Sequence, residues 1–113
     1  MLDDITSLTL RTAVSALGMR QQVTSNNIAN VETPGFTAGT VSFEQSLADA
    51  VSAGDPASAM ISDNPSSAAA GANGNNVNLS DEIVTATKTG LQEQLLTGAL
   101  TSTYGMISTV LKG

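Results

Sequence analysis

The sequence has no cysteine, histidine or tryptophan, and only one tyrosine and two phenylalanines among its 113 residues. Without cysteine the chain forms no disulfide and offers no thiolate for catalysis or for binding zinc. Without histidine it lacks the usual general base and the commonest metal ligand of proteins. Its apolar fraction of 41% contains much alanine, which suits a narrow seam between helices better than a thick core. The composition therefore predicts neither a metal site nor a cofactor.

Basic residues are also scarce, with four Lys and Arg against ten Asp and Glu, so the net charge is -6. This balance argues against nucleic acid or an anionic membrane surface as a partner, because both attract Lys and Arg. No apolar run approaches the 18 residues or so that a membrane-spanning helix needs. The sequence opens with MLDDITSL, which is acidic where a secretory signal is basic. If the protein is exported, we expect export without a cleaved signal peptide.

Apolar residues spaced three or four apart predict a long helix over residues 3–31. A single amphipathic helix needs one apolar stripe, but this segment has two. The first stripe is Leu2, Ile5, Thr9, Thr12, Ala16, Met19 and Val23, and the second is Leu10, Val14, Leu17, Ile28 and Val31. Two stripes with few charges indicate a helix that contacts neighbours on two sides. The alternative is an ordinary core helix of a small bundle.

The middle of the chain, residues 32–76, has a different composition. Ser42 and Gln45 have the spacing of a capping box, which predicts a short helix through Leu47, Ala50 and Val51. Residues 52–76 are mainly Ser, Ala, Gly, Asn, Asp and Pro. The whole segment has five acidic residues and no Lys or Arg. We therefore expect an exposed, mobile, acidic loop after the short helix.

A second long helix is predicted over residues 78–111. Asn78 is a favourable N-cap, and the acidic pair Asp81 and Glu82 would lie near the positive end of the helix dipole. Three glycines recur close to one face of this helix, and each costs roughly 1 kcal/mol in a helix interior. Close approach of another backbone would compensate for that cost, whereas the alternative is chance combined with fraying. These glycines are Gly90, Gly98 and Gly105.

Together these segments predict an all-α fold in one structural domain. Residues 1–31 and 77–113 would be two long terminal helices that pair as an α-helical coiled coil. Residues 32–76 would supply a turn, the short helix and a flexible loop rich in Gly, Ser, Ala and Asn. The positions that we expect to pack between helices or between subunits are Leu10, Val14, Leu17, Gly90, Leu95, Gly98, Gly105 and Ile107.

The stretch NNIANVETPGF, residues 26–36, lies where the first helix is predicted to stop. Pro34 biases Thr33 away from helical dihedrals, so the helix should end near residues 30 and 31. Residues 33–36 then fit a type II turn, in which Gly35 supplies the positive φ that the third position requires. Such a turn would direct Phe36 towards a nearby apolar surface.

Three asparagines precede this turn, at positions 26, 27 and 30. Their amides can satisfy the free carbonyls of the last helical turn. They can also bond to a neighbouring chain and fix its register. The sequence alone leaves both possibilities open.

The same stretch resembles the N-terminal signature of the bacterial flagellar basal-body rod protein family. The upstream ALGMRQQVTSNNIAN is similar to the family's leading helix. The segments GNNVNLSDEI and LQEQLLTGALTSTYGMISTVLKG are most similar to its proximal rod members. Glu93 departs from the pattern, because an aromatic residue is expected there. The residues that match the signature are Asn26, Asn27, Ile28, Ala29, Asn30, Thr33, Pro34, Gly35 and Phe36.

This resemblance implies a structural subunit that assembles into a torque-transmitting tube. The terminal helices would line the inner wall of the periplasmic rod in the flagellar basal body. Expected partners are other copies of itself, other rod proteins, the rod adaptor at the inner-membrane ring and the flagellar type III export apparatus. The assembled flagellum would then serve cell motility.

Two other classes of function compete with a rod subunit. One is a soluble helical adaptor or export chaperone, which should be a stable folded dimer without its partner. The other is an enzyme, for which the sequence offers only two adjacent acidic pairs, Asp3–Asp4 and Asp81–Glu82. Neighbouring residues on a helix point in different directions, so neither pair resembles a catalytic dyad. The sequence therefore predicts a protein that is not an enzyme.

Overall fold

In the computed structural model the protein is a flat plate of 63 × 26 × 14 Å. The structure describes residues 2–112, and the side chains of residues 5–105 and 109. The predicted contact residue Ile107 lies outside these described side chains. In chain order the elements are α1 (Leu2–Ala29), β1 (Gly39–Ser42), α2 (Glu44–Ser52), a 3₁₀ turn (Pro56–Ser58), β2 (Ser62–Pro65) and α3 (Leu79–Lys112). The 14 Å thickness is the shortest of these dimensions, so the elements form a thin plate.

The two long helices pack against each other in antiparallel directions. Near the end of α1, the Asn27 amide donates to the Glu82 carboxylate over 3.2 Å, close to the start of α3. Further back along α1, the Gln21 amide donates to the Ala86 carbonyl over 3.0 Å. The pairing of α1 with α3 is the most extensive contact between any two elements. The predicted pair of long terminal helices is thus confirmed.

The hydrophobic core is small and lies on one side of α1. Leu17 is 2% exposed and is the largest side chain that α1 contributes. Leu96 of α3 and Ile61 of the middle segment are partly buried against the same cluster. This size agrees with the low aromatic content of the sequence. The buried members of the cluster are Ala13, Ala16, Leu17, Val41, Phe43 and Leu47.

The structure also contains a two-stranded antiparallel sheet, which the sequence did not predict. Strand β1 pairs with β2 so that Gly39 lies opposite Pro65 and Ser42 opposite Ser62. A Cβ atom at Gly39 would lie 2.8 Å from Asp63 Oδ1 and 2.9 Å from Val23 Cγ1. A larger residue at position 39 would therefore require the side chains of Asp63 and Val23 to shift.

The short helix α2 lies where the sequence predicts it, and it buries Leu47 and Ala50. The predicted capping box of Ser42 and Gln45 is wrong. Ser42 belongs to β1, and the N-cap residue is Phe43, which makes no side-chain capping hydrogen bond. The strand takes Ser42 because its backbone pairs with Ser62.

Arg20 connects α1 to the middle segment through contacts with three residues. Its guanidinium donates to the Val41 carbonyl over 2.7 Å and to both Glu44 carboxylate oxygens, at 2.5 and 2.9 Å. Its Cζ atom also lies 4.9 Å from the centre of the Phe43 ring. Burial alone would raise the pKa of Glu44, but the hydrogen bonds and the charge of Arg20 outweigh it and lower that pKa. One side chain thus connects α1, β1 and α2.

Most of residues 52–76 are exposed, as predicted. They are also partly regular, since they contain the 3₁₀ turn and β2. Pro56 is buried, and the backbone N–H of Met60 donates to the Ser46 hydroxyl over 2.7 Å. Mobility of this segment stays a prediction.

Candidate functional site

The predicted turn after α1 is present. Helix α1 ends at Ala29, and Gly35 has a φ of +72°. The backbone N–H of Phe36 donates to the Thr33 carbonyl over 3.2 Å, which closes residues 33–36 as a type II turn. The turn leaves the Phe36 side chain half-buried.

Asn30 is a local cap of the helix end. Its amide donates to the Asn26 carbonyl over 2.8 Å, and its side-chain oxygen accepts a hydrogen bond from the Thr33 hydroxyl at 3.1 Å. Both contacts lie within one turn of the chain. The first adds to the hydrogen bond that the Asn26 carbonyl already accepts from the Asn30 backbone N–H, and the second links the helix end to the turn.

Asn27 has a different role, because it bonds to other elements of the same chain. Its side chain is 1% exposed. The side-chain oxygen accepts from the Gly39 N–H, and the side-chain amide donates to the Gly39 carbonyl, both at 2.9 Å. The same amide donates to Glu82 of α3. Asn27 therefore links α1, β1 and α3 at one point.

The second half of this site lies just before α3, and the sequence did not predict it. Asn75 is 7% exposed, and its side-chain amide donates to the carbonyls of Asn30 and Thr33, each over 2.8 Å. Its side-chain oxygen accepts from the Val77 N–H at 2.8 Å. The available signal was the repeated asparagine between Gly71 and Asn78, which composition alone assigns to a loop.

The neighbours of Asn75 continue the same pairing. The Gly35 N–H donates to the Asn73 carbonyl over 2.9 Å, and the Asn76 N–H donates to the Phe36 carbonyl over 3.2 Å. The Asn76 side-chain oxygen also accepts from the Ala38 N–H at 2.7 Å. We call residues 26–39 together with residues 73–78 the polar junction. It joins the end of α1 to the start of α3.

Helix α3 begins as the sequence predicts. The Asn78 side-chain oxygen accepts from the Asp81 N–H at 3.1 Å, which caps the first turn. Glu82 lies in that turn and also accepts the hydrogen bond from Asn27.

The first half of α3 turns small and polar residues towards α1, whereas Leu96 further along packs against the core. Thr89 of α3 is 1% exposed, and Thr24 of α1 is 3% exposed. Within the described side chains, Ser7 Oγ, Gln21 Oε1 and Gln92 Oε1 are buried without a hydrogen-bond partner. We call this contact between α1 and α3 the seam.

The opposite side of α3 carries large apolar side chains in solvent. Leu91 and Leu95, at 62% and 72% exposed, are two of them. Together with Thr87 they line a shallow apolar groove along the helix. We call these residues the outer stripe: Leu79, Ile83, Val84, Leu91 and Leu95.

The other predicted contact positions divide between the interior and the surface. Leu17 is in the core, and Leu10 and Val14 are half-buried on α1. A Cβ atom at Gly90 would lie 3.7 Å from Gln21 Nε2. The other two glycines, Gly98 and Gly105, face open space within this chain, so close approach of another backbone there stays a prediction.

A cleft of about 410 Å³ between α1, β1 and α3 contains the charged groups Arg20, Glu44, Glu82 and Lys88. Arg20 and Glu44 bond to each other, and Glu82 accepts from Asn27. Over the described side chains, no three acidic groups lie close enough to hold a metal ion. Within residues 2–112, no helix is both long and apolar enough to cross a membrane.

Comparison with known proteins gives one family. Residues 8–37 match the family model described as "Flagella basal body rod protein". This match includes most of α1 and the turn at residues 33–36, whereas β2, residues 73–78 and α3 lie outside it. A search of curated proteins gives no match.

Proposed function

We propose that this chain, whose N-terminal segment matches the flagellar basal-body rod family, is a structural subunit that assembles with copies of itself into the rod. It forms part of the wall of the rod and makes that wall stiffer, and it carries out no reaction. The polar junction holds α1 and α3 in one register, and the outer stripe supplies the contact with a neighbouring subunit.

The outer stripe is the observation that carries the proposal. A helix of a soluble monomer turns its large apolar residues towards the core. Helix α3 turns Leu96 towards the core, but it also buries Thr89 and exposes Leu91 and Leu95. Contiguous exposed apolar surface of this kind marks an interaction site. A contact that does not close on itself lets chains add without limit, as a tube requires.

The specific member that we propose is the proximal rod protein FlgB, and the alternative is its neighbour FlgC. This assignment rests on the resemblance of the C-terminal segments to proximal rod members. It implies the periplasmic part of the basal body as the location, and export by the flagellar type III apparatus. The partners would be the next rod protein and the rod adaptor at the inner-membrane ring.

A helical export adaptor or chaperone is the second candidate, because an exposed apolar groove on a helix also suits one partner helix. The two functions differ in what the purified protein does. An adaptor forms a closed dimer of fixed mass, whereas a rod subunit forms assemblies whose mass increases with concentration.

The deciding experiment is deletion of the gene, followed by imaging of basal bodies and a swimming assay. We expect cells without complete rods, and rescue by the gene supplied on a plasmid. Photocrosslinking from the outer stripe, with a crosslinker at Leu91, would then identify the neighbour. Complete rods and normal swimming in the deletion strain, with no second copy of the gene, would contradict the proposal.

A further inference from the structure

We infer that Asn75 is a positioning residue that sets the direction in which α3 leaves the polar junction. This inference rests on the proposed function, since the direction of α3 decides where the outer stripe meets a neighbouring subunit. Asn75 lies outside the segment that matches the rod family.

The bonds of Asn75 reach two consecutive parts of the chain. One side-chain amide contacts the last turn of α1 through the Asn30 carbonyl and the following turn through the Thr33 carbonyl. Both of these carbonyls already accept one backbone N–H, from Thr33 and Phe36 respectively. Asn75 therefore fills their second lone pairs, and its two amide hydrogens are both used.

The side-chain oxygen of Asn75 bonds to the segment that leads into α3. This oxygen accepts from the Val77 N–H, one residue before the N-cap Asn78. The side chain is thus bonded to the end of α1 at one edge and to the approach to α3 at the other. Only a side chain with two donors and one acceptor at this separation can make all three bonds.

Close backbone packing leaves little room for another arrangement. A Cβ atom at Gly74 would lie 3.3 Å from the Gly35 Cα atom, and both glycines have positive φ values. Residues 73–76 therefore lie directly against the turn at residues 33–36. A change at Asn75 would shift the start of α3 as well as remove hydrogen bonds.

The test is Asn75→Asp in the full-length protein, with Asn64→Asp as a matched control. The first substitution keeps the acceptor for Val77 but loses both donors and adds a charge beside two carbonyls. The second makes the same chemical change at an exposed residue of β2. Both purified variants are compared with the unaltered protein by residue-resolved amide hydrogen exchange.

For Asn75→Asp we expect the amides of Gly35, Phe36 and Asn76 to exchange at least tenfold faster, while the Leu47 amide of α2 keeps its rate. Asn64→Asp should leave all four rates unchanged. Unchanged rates at Gly35 and Asn76 in Asn75→Asp would overturn the inference. An equal acceleration at all sites would also overturn it, because that is a loss of global stability.

The functional arm uses the deletion strain complemented with each variant. We expect Asn75→Asp to be exported but to leave at least tenfold fewer rods per cell than Asn64→Asp. Leu96→Ala, which weakens the core away from the junction, serves as the comparison for stability. If Asn75→Asp and Leu96→Ala have the same stability and reduce the number of rods equally, the positioning role of Asn75 is wrong. If the deletion strain swims without any copy, the proposed function fails, and the exchange rates still decide the role of Asn75.

Discussion

Thr89 and Leu91 lie two residues apart on α3 and face opposite sides of the helix, with exposures of 1% and 62%. Two residues correspond to about 200° around a helix axis. The smaller, polar side chain is in the seam and the larger, apolar one is in the outer stripe. At this level of the helix, the seam therefore takes the polar side chain and leaves the apolar one in solvent.

Leu91→Ser should separate assembly from stability. Because Leu91 is exposed in the free chain, its loss should change the free energy of unfolding by about 0.5 kcal/mol or less. Assembly should nevertheless fail, because the stripe loses an apolar contact. Urea unfolding of the purified variant and rod counts in the complemented deletion strain measure the two effects. Normal rod numbers would show that the stripe is not the contact.

Asn27→Ala should be far more damaging than Asn26→Ala, although the two residues are adjacent. The first removes the side chain that bonds both backbone groups of Gly39, and leaving them unpaired should cost about 3 kcal/mol. Asn26 is exposed, and its side chain accepts only one long hydrogen bond, of 3.4 Å. Its loss should cost about 0.5 kcal/mol or less. Equal losses in chemical denaturation would contradict the tertiary role of Asn27.

Gly35→Val should disrupt the turn that follows α1. A β-branched residue at a positive φ costs at least about 1–2 kcal/mol, and relief of that strain would move Phe36. Gly18→Ala is the control, because a Cβ atom there meets no other atom within 4 Å and alanine should stabilise the helix by about 0.5–1 kcal/mol. Thermal unfolding distinguishes the two variants, because the midpoint of Gly35→Val should fall and that of Gly18→Ala should rise. A Gly35→Val midpoint at or above that of the unaltered protein would argue against the turn.

The ion pair of Arg20 with Glu44 predicts a pH dependence of stability. Since folding lowers the pKa of Glu44 from its ordinary value of 4.5, the pair stabilises the fold above pH 4.5. That contribution is lost as the pH falls through the folded-state pKa. The Glu44 side chain is 60% exposed, so the effect should be small and weakened by salt. Glu44→Gln should lower the denaturation midpoint at pH 7 and have a smaller effect at pH 3. If the midpoints of the variant and the unaltered protein differ by the same amount at both pH values, the Glu44 carboxylate is not the source of the stabilisation.

The parts of the fold that follow local rules could be predicted from sequence. Pro34 and Gly35 determine a turn through their own backbone preferences, and Asn78 caps the helix that begins beside it. The two long helices also follow from apolar spacing. Each of these features depends on residues within a few positions of one another.

The features that depend on distant residues could not be predicted in the same way. The sequence of β2, SDNP, has no preference for a strand, and it forms one because β1 lies beside it. Asn75 finds acceptors more than 40 positions earlier in the chain. The apolar residues of α3 were visible, but hydropathy does not tell whether such a face meets its own chain or another. Ser42 was misassigned for the same reason, since pairing with Ser62 outweighs its capping preference.

The 14 Å thickness of the plate also limits how such a protein can change over time. If the plate is built into a wall, both of its broad sides are shared with other molecules. A substitution on either side then alters the surroundings of a residue in a second molecule, and its compensation has to arise there. We therefore expect that transplanting this chain into a foreign rod would require matched changes in its neighbours, whereas residues enclosed within the chain, such as Ala16 and Leu17, could be exchanged without them.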